Sequence, residues 1–237
     1  FTAYTPTTGI STINLFGYEV PFGNLIFSST VGYKLGVEIG DDLWAVIPPS
    51  SYMALAGANI IANLSASCEL VGKDEKRRDL LKTQSSKAIC AYLYTSTGFA
   101  ESTDNLVFGG SGYIYENGCE LASFERFQMD SQLEIVDIDI EDLTNSRISN
   151  AIFKNSKRVL NNSFIEVPIV QVQPKFYYSI NNPVCLHRHV STQPFAQTNE
   201  NSSKFFKEIL DIQSVALARR LSAIKNDKVT IGVSGGL

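Results

Sequence analysis

Gly40 follows the apolar-rich run Tyr33 to Ile39 and is itself followed by two acids, Asp41 and Asp42. A glycine after such a run reads as a tight turn, because glycine reaches positive φ without a steric penalty. Ser67 lies just past the next apolar run, and its hydroxyl can bond a polar ligand or cap the helix that follows. Lys73 opens a charged segment; its cation can pair with a carboxylate or stay solvated. Cys68 could be put forward as a nucleophile, although free cysteines are more often buried and inert. Near the end, Ser234-Gly235-Gly236 follows the short apolar run Lys228 to Val233. There Gly232, Gly235 and Gly236 would let backbone N–H groups approach an anion, aided by the positive end of a following helix. On its own this pattern is equally a plain turn. His187 and His189 share a face of an extended segment, but no third ligand lies near in sequence, so no metal site is expected.

Several elements must position these residues. Runs 33–39, 59–64 and 88–94 read as strands, with helices over 52–56 and 73–87 between them. That alternation is α/β layering, and its polar loops fall at the carboxyl ends of strands, where α/β sheets keep their sites. Asn117-Gly118 between 111–115 and 120–124 signals a hairpin. Residues 133–140 alternate apolar and polar and predict a half-buried strand; Glu141-Asp142 then opens a helix to about 157. Residues 168–204 read as a linker, 203–224 as an amphipathic helix and 228–233 as a buried strand.

The hydrophobic fraction of 44%, the charged fraction of 19% and the net charge of −4 describe an ordinary globular chain. No apolar stretch approaches the roughly 18 residues of a membrane span. The basic residues are scattered, so neither nucleic acid nor a membrane is an expected partner. The four cysteines form no C-x-x-C pair and read as reduced thiols of a cytoplasmic protein. The first residues show no signal peptide.

Motifs in a fixed order carry a resemblance over nearly the whole chain. They are Gly36-Val37-Glu38-Ile39-Gly40-Asp41-Asp42-Leu43-Trp44, Pro48-Pro49-Ser50-Ser51, Ala54-Leu55-Ala56-Gly57-Ala58 and Asn63-Leu64-Ser65-Ala66-Ser67. Glu101-Ser102-Thr103-Asp104, Ser123-Phe124-Glu125-Arg126-Phe127 and Ile212 to Leu221 follow, and then Gly232-Val233-Ser234-Gly235-Gly236-Leu237. Together they resemble the glutamine-dependent NAD⁺ synthetases, whose glutaminase domain is a branch of the nitrilase superfamily. The resemblance implies a nitrilase-like α-β-β-α sandwich followed by the start of a Rossmann-like α/β synthetase domain. It divides the chain into a glutaminase domain over 1–167 lacking its N-terminal part, a linker over 168–204 and the beginning of the synthetase domain over 205–237. Glutamine would be hydrolysed in the first domain. Its ammonia would amidate deamido-NAD⁺ in the second, with ATP and Mg²⁺ as cofactors. A cytoplasmic homo-oligomer is the implied state.

Amide hydrolysis needs a nucleophile, a proton acceptor and an oxyanion stabiliser. The superfamily uses Cys, Glu and Lys, and by resemblance the cysteine position is Gly40, with Asp41 beside it. Glycine cannot attack a carbonyl, so glutaminase activity is expected to be absent from this chain. The family's Glu and Lys fall before Phe1. Ser67 and Lys73 match positions that contact glutamine; Gly232, Ser234, Gly235 and Gly236 match the ATP loop. Two other readings stand beside this one: a stand-alone nitrilase-like amidase, and a non-catalytic scaffold with the nitrilase fold. The ending disfavours the first, and Gly40 favours the second.

Overall fold

A computed structural model describes residues 11–159, 164–169, 186–190, 202–224 and 228–232. The chain divides into two units, Phe1–Arg188 and His189–Leu237. In the first, β1 (Thr12–Leu15) and β2 (Tyr18–Pro21) form a small antiparallel hairpin. The remaining strands are β3 (Leu25–Ser29), β4 (Lys34–Ile39), β5 (Ile60–Ser65), β6 (Ala91–Ser96), β7 (Gly112–Glu116), β8 (Cys119–Ser123) and β9 (Ile165–Ile169). They make one mixed sheet in the order β8-β7-β6-β5-β4-β3-β9. Strands β4, β5 and β6 run parallel at its centre, so their carboxyl ends lie together at one end of the sheet.

Helices α1 (Pro49–Ala56) and α2 (Lys73–Ala88) are the crossovers between these parallel strands. Proline at the first helical position starts α1, and Gly57, at φ +121°, ends it. Asp74 and Glu75 in the first turn of α2 and Lys87 in the last complement its dipole. Both helices contribute to the main core, where Met53, Ala54 and Leu81 join Ile61, Tyr92, Tyr94 and Tyr113 of the strands. A smaller cluster forms where α3 (Ile140–Ser149) and α4 (Ala151–Ser156) bring Leu143 and Phe153 against Ile89, Ala91 and Ile60.

Most expected elements are present, and this mixed α/β sheet bears out the expected class. Of the α-β-β-α sandwich, the described residues hold one such sheet with its helices. Four expectations change. The strand expected over 88–94 starts only at Ala91: α2 runs to Ala88, and Ile89 turns through φ +47° before the strand begins. Residues 133–139 form no strand. Their backbone bonds go elsewhere: the Asp139 N–H donates to the Glu116 carboxylate (2.8 Å) and the Asp137 N–H to the His187 carbonyl (3.2 Å), so no ladder forms. The helix expected to reach 157 breaks at Asn150, which ends α3 and caps α4 by accepting from the Phe153 N–H at 2.9 Å. Residues 228–232 lie in no strand. In addition, the expected domain boundary at 167/168 falls inside β9, which pairs in parallel with β3, and the first unit runs on to Arg188. The second unit contains the expected amphipathic helix, α5 (Ser202–Ile224).

Candidate functional site

At the end of β4 the chain leaves the sheet through a 3₁₀ turn, Gly40–Trp44. Gly40 sits at φ +60°, in the left-handed region that glycine tolerates best. Two side chains fix this turn. The Asp42 carboxylate, itself buried, accepts the Ile39 N–H at 3.0 Å. On the other side, the Asn63 side-chain amide donates to the Gly40 carbonyl at 3.3 Å.

Asn63 belongs to a fully buried polar group. It pairs with Glu38 across β4 and β5, and its Nδ2 lies 3.4 Å from Glu38 Oε1 and 3.2 Å from the Tyr92 hydroxyl. The Tyr92 hydroxyl donates to the same Glu38 oxygen. The second Glu38 oxygen accepts the Ser50 N–H, in the first turn of α1, at 2.8 Å. Burial first, and then the neighbouring Glu38 carboxylate, push the Tyr92 phenol well above its ordinary range, so it stays a donor.

A cavity of about 430 Å³ opens beside the turn. Ile39, Gly40 and Asp41 line it where β4 ends, Leu64 to Ala66 where β5 ends and Thr95 to Thr97 where β6 ends. All three segments are carboxyl ends of the parallel strands, the usual ligand position in such sheets. The lining offers hydroxyls, one carboxylate and backbone groups, and at position 40 no side chain. The first N–H groups of a helical turn have no partner within it, so they can face developing negative charge.

Of the residues singled out in the sequence, Gly40 and Asp41 line this cavity, whereas Ser67 and Lys73 do not. Among the described residues the buried Ser67 hydroxyl finds no hydrogen-bond partner, while its N–H donates to Ser96 Oγ at 3.2 Å. The Lys73 ammonium donates to the Cys68 carbonyl at 2.9 Å, passes 4.0 Å from Cys68 Sγ and lies 5.8 Å from the centre of the Trp44 indole ring. Lys73 thus closes the 68–73 loop and ties it to the turn after Gly40. Among the described residues nothing lies within 4 Å of where a Cβ on Gly232 would stand, and Ser234, Gly235 and Gly236 lie outside the described residues. The His187 N–H donates to Asp137 at 2.6 Å, and among the described residues no group of three or more His, Cys, Asp or Glu side chains gathers to hold a metal. Cys68, Cys90 and Cys119 are free thiols.

A charged network centred on α2 is not visible in the sequence. Arg77 is fully buried; its Nη1 meets Asp74 at 2.7 Å, Ser111 Oγ at 2.9 Å and Glu69 at 3.2 Å. Glu69 also accepts from Ser111 at 2.8 Å and from Arg126 at 3.2 Å. These bonds pin the loop carrying Ser67 and Cys68 to α2 and to the start of β7. Burial alone would raise the Asp74 carboxyl, but the Tyr113 hydroxyl and the guanidinium groups of Arg126, Arg77 and Arg78 outweigh it and hold it below its ordinary value. The sequence showed only a dense run of mixed charge at 73–78; it carried no sign that Glu69, Ser111 and Arg126 converge there.

No family model matches the chain. The glutamine-dependent NAD(+) synthetase of Mycobacterium tuberculosis is 36% identical over 233 residues, which is 95% of this chain and 33% of that protein. The protein of the same name from Mycobacterium leprae is 35% identical over 230 residues, again 95% and 33%. The chain therefore spans about one third of the length of these curated relatives. Among solved structures, a glutamine-dependent NAD(+) synthetase from Cytophaga hutchinsonii is similar with a TM-score of 0.43 and 24% identity, covering 52% of this chain and 19% of that one. On the sequence relationship, which runs through the strands and loops that build the cavity, the chain is similar over 95% of its length to glutamine-dependent NAD⁺ synthetases.

Proposed function

We propose that this chain carries the glutaminase site of a glutamine-hydrolysing NAD⁺ synthetase, and that glutamine hydrolysis is silent here because Gly40 stands at the nucleophile position. The observation that supports this reading is the left-handed turn at Gly40, set at the carboxyl end of β4 and opening on the cavity. A side chain at such a turn projects from the sheet edge, which is what an attacking nucleophile requires. The N–H groups that open the 3₁₀ turn suit the oxyanion of a tetrahedral intermediate.

In this reading the cavity takes the side-chain amide of glutamine. Ser67 and Lys73 bind the substrate's amino-acid end, which requires Lys73 to leave the Cys68 carbonyl. Ammonia then serves the amidation of deamido-NAD⁺ in the synthetase domain, where ATP and Mg²⁺ act. Residues 232–236 would form part of that ATP loop. A cytoplasmic homo-oligomer belongs to the same proposal.

The test is glutamate release from glutamine by the full-length protein and by its Gly40→Cys variant. The unaltered protein should release none, and Gly40→Cys should restore release. A folded Gly40→Cys protein that binds glutamine but releases no glutamate would show that position 40 is not the nucleophile's. The absence of a side chain at Gly40 also supports a second reading, a non-catalytic scaffold, for which neither protein would bind glutamine.

A further inference from the structure

The Glu38, Asn63 and Tyr92 side chains sit in the core with no exposed surface, yet between them they carry a carboxylate, an amide and a phenol. Polar groups buried in this way cost stability unless they are bonded, and apolar residues of similar size are often at least as stable in their place. What this group does locally is specific. An amide nitrogen has two hydrogens, and three oxygens surround Asn63 Nδ2: Glu38 Oε1 at 3.4 Å, the Tyr92 hydroxyl at 3.2 Å and the Gly40 carbonyl at 3.3 Å. Since the Tyr92 proton is committed to Glu38, the phenol oxygen is an acceptor toward Asn63. Glu38 in turn is anchored by the Ser50 N–H of α1. One end of this chain is a rigid helix start, and the other is the carbonyl of the residue that turns through φ +60° into the cavity.

We propose that Asn63, held by Glu38 and Tyr92, is a positioning residue that fixes the peptide between positions 40 and 41, and so sets where a side chain at position 40 and the N–H groups of the following turn point. The inference deepens the proposed glutaminase reading and rests on it for the identity of the substrate. The positioning itself is a matter of backbone geometry and can be read without glutamine. A thiol at position 40 would lie at the start of the 3₁₀ turn, where backbone N–H groups favour the thiolate. Loosening the 40–41 peptide removes that advantage.

The experiment uses the full-length protein carrying Gly40→Cys. The rate of alkylation of the introduced thiol by iodoacetamide is followed against pH by peptide mapping, with and without Asn63→Leu. Exposed Cys119 serves as the unaffected reference and buried Cys90 as the sentinel for general loosening. Asn63→Leu is expected to slow alkylation of the introduced thiol at least about tenfold near neutral pH and to move its pH midpoint upward, while Cys119 keeps its rate and Cys90 stays unlabelled. An unchanged rate and midpoint overturns the proposal. So does a change accompanied by labelling of Cys90, which would mark a merely structural role. If Asn63→Leu does not fold, Tyr92→Phe, which removes one hydroxyl, should move the midpoint in the same direction by less; no movement overturns the proposal. Glutamate release is measured on the same Gly40→Cys protein. If alkylation behaves as expected but no glutamate appears, the positioning stands and the glutamine reading falls.

Discussion

Replacing Gly40 should cost backbone energy that can be worked out before any chemistry is measured. At φ +60° an L-residue brings its Cβ against the backbone, at roughly 1–2 kcal/mol. Removing a glycine also stiffens the unfolded chain, which returns about 0.4–1 kcal/mol. The net loss for Gly40→Ala is therefore about 1 kcal/mol, or about 2–4 °C in Tm for a protein of this size. Gly40→Cys should lose the same within about 0.5 kcal/mol, because the penalty lies in the backbone. Gly112 is the contrasting position. It has no left-handed φ, but a Cβ there would stand 2.1 Å from Phe124 Cδ2, so Gly112→Ala must displace a ring. Its loss should exceed that at position 40 by at least about 1 kcal/mol, in the range of overpacked sites. Urea unfolding of the three variants at constant m measures this order directly. A Gly40→Ala protein as stable as the unaltered one would refute the left-handed turn on which the site argument depends. A loss above about 3 kcal/mol would show that position 40 has no room for a side chain.

Three further expectations concern the rest of the first unit. The Arg147 guanidinium donates to the carbonyls of Ala58 (2.7 Å), Ala88 (2.9 Å) and Ile89 (2.9 Å), just beyond or at the ends of α1 and α2, and lies 4.9 Å from the Phe153 ring centre. Losing these charge-assisted bonds in Arg147→Ala should cost about 3–5 kcal/mol by urea unfolding, and a loss under about 1 would contradict the clamp. Asp74 has a folded-state pKa below its ordinary 3.8, so its contribution is present above about pH 4 and is lost as pH falls through the folded value. The acid limb of stability against pH should accordingly be flatter in Asp74→Asn; parallel curves would contradict the network. Burial pushes the Cys90 thiol up to about 12, whereas Cys119 is exposed. Iodoacetamide at pH 8 should label Cys119 and spare Cys90 in the native protein, as mass spectrometry can show.

Legibility in the sequence followed the range of the interactions. The Asn117-Gly118 hairpin was readable because a turn with φ +47° and +84° at its two central residues needs those residue types locally. The helix expected over 52–56 is also present, but it begins at Pro49, a first-turn proline, and ends at Gly57. The alternation at 133–140 misled, because period two records a pattern of polarity and not the presence of a neighbouring strand edge. Position 40 could be placed at a turn from its flanks, but not its partners. Glu38 was hidden inside an apolar-rich strand, and its pairing with Asn63 depends on register across β4 and β5, which no local spacing reveals. Arg77 looked like one more charge on a solvated helix. Its complete burial follows from Glu69, Ser111 and Arg126 meeting around it, contacts made across loops far apart in the chain.

The most direct measurement is NAD⁺ formation by the full-length protein from deamido-NAD⁺ and ATP, with ammonium or glutamine as the only nitrogen donor. A synthetase with an empty nucleophile position at Gly40 should form NAD⁺ from ammonium and none from glutamine. NAD⁺ formed from glutamine by the unaltered protein would contradict the role assigned to position 40, and none from either donor would contradict the synthetase itself.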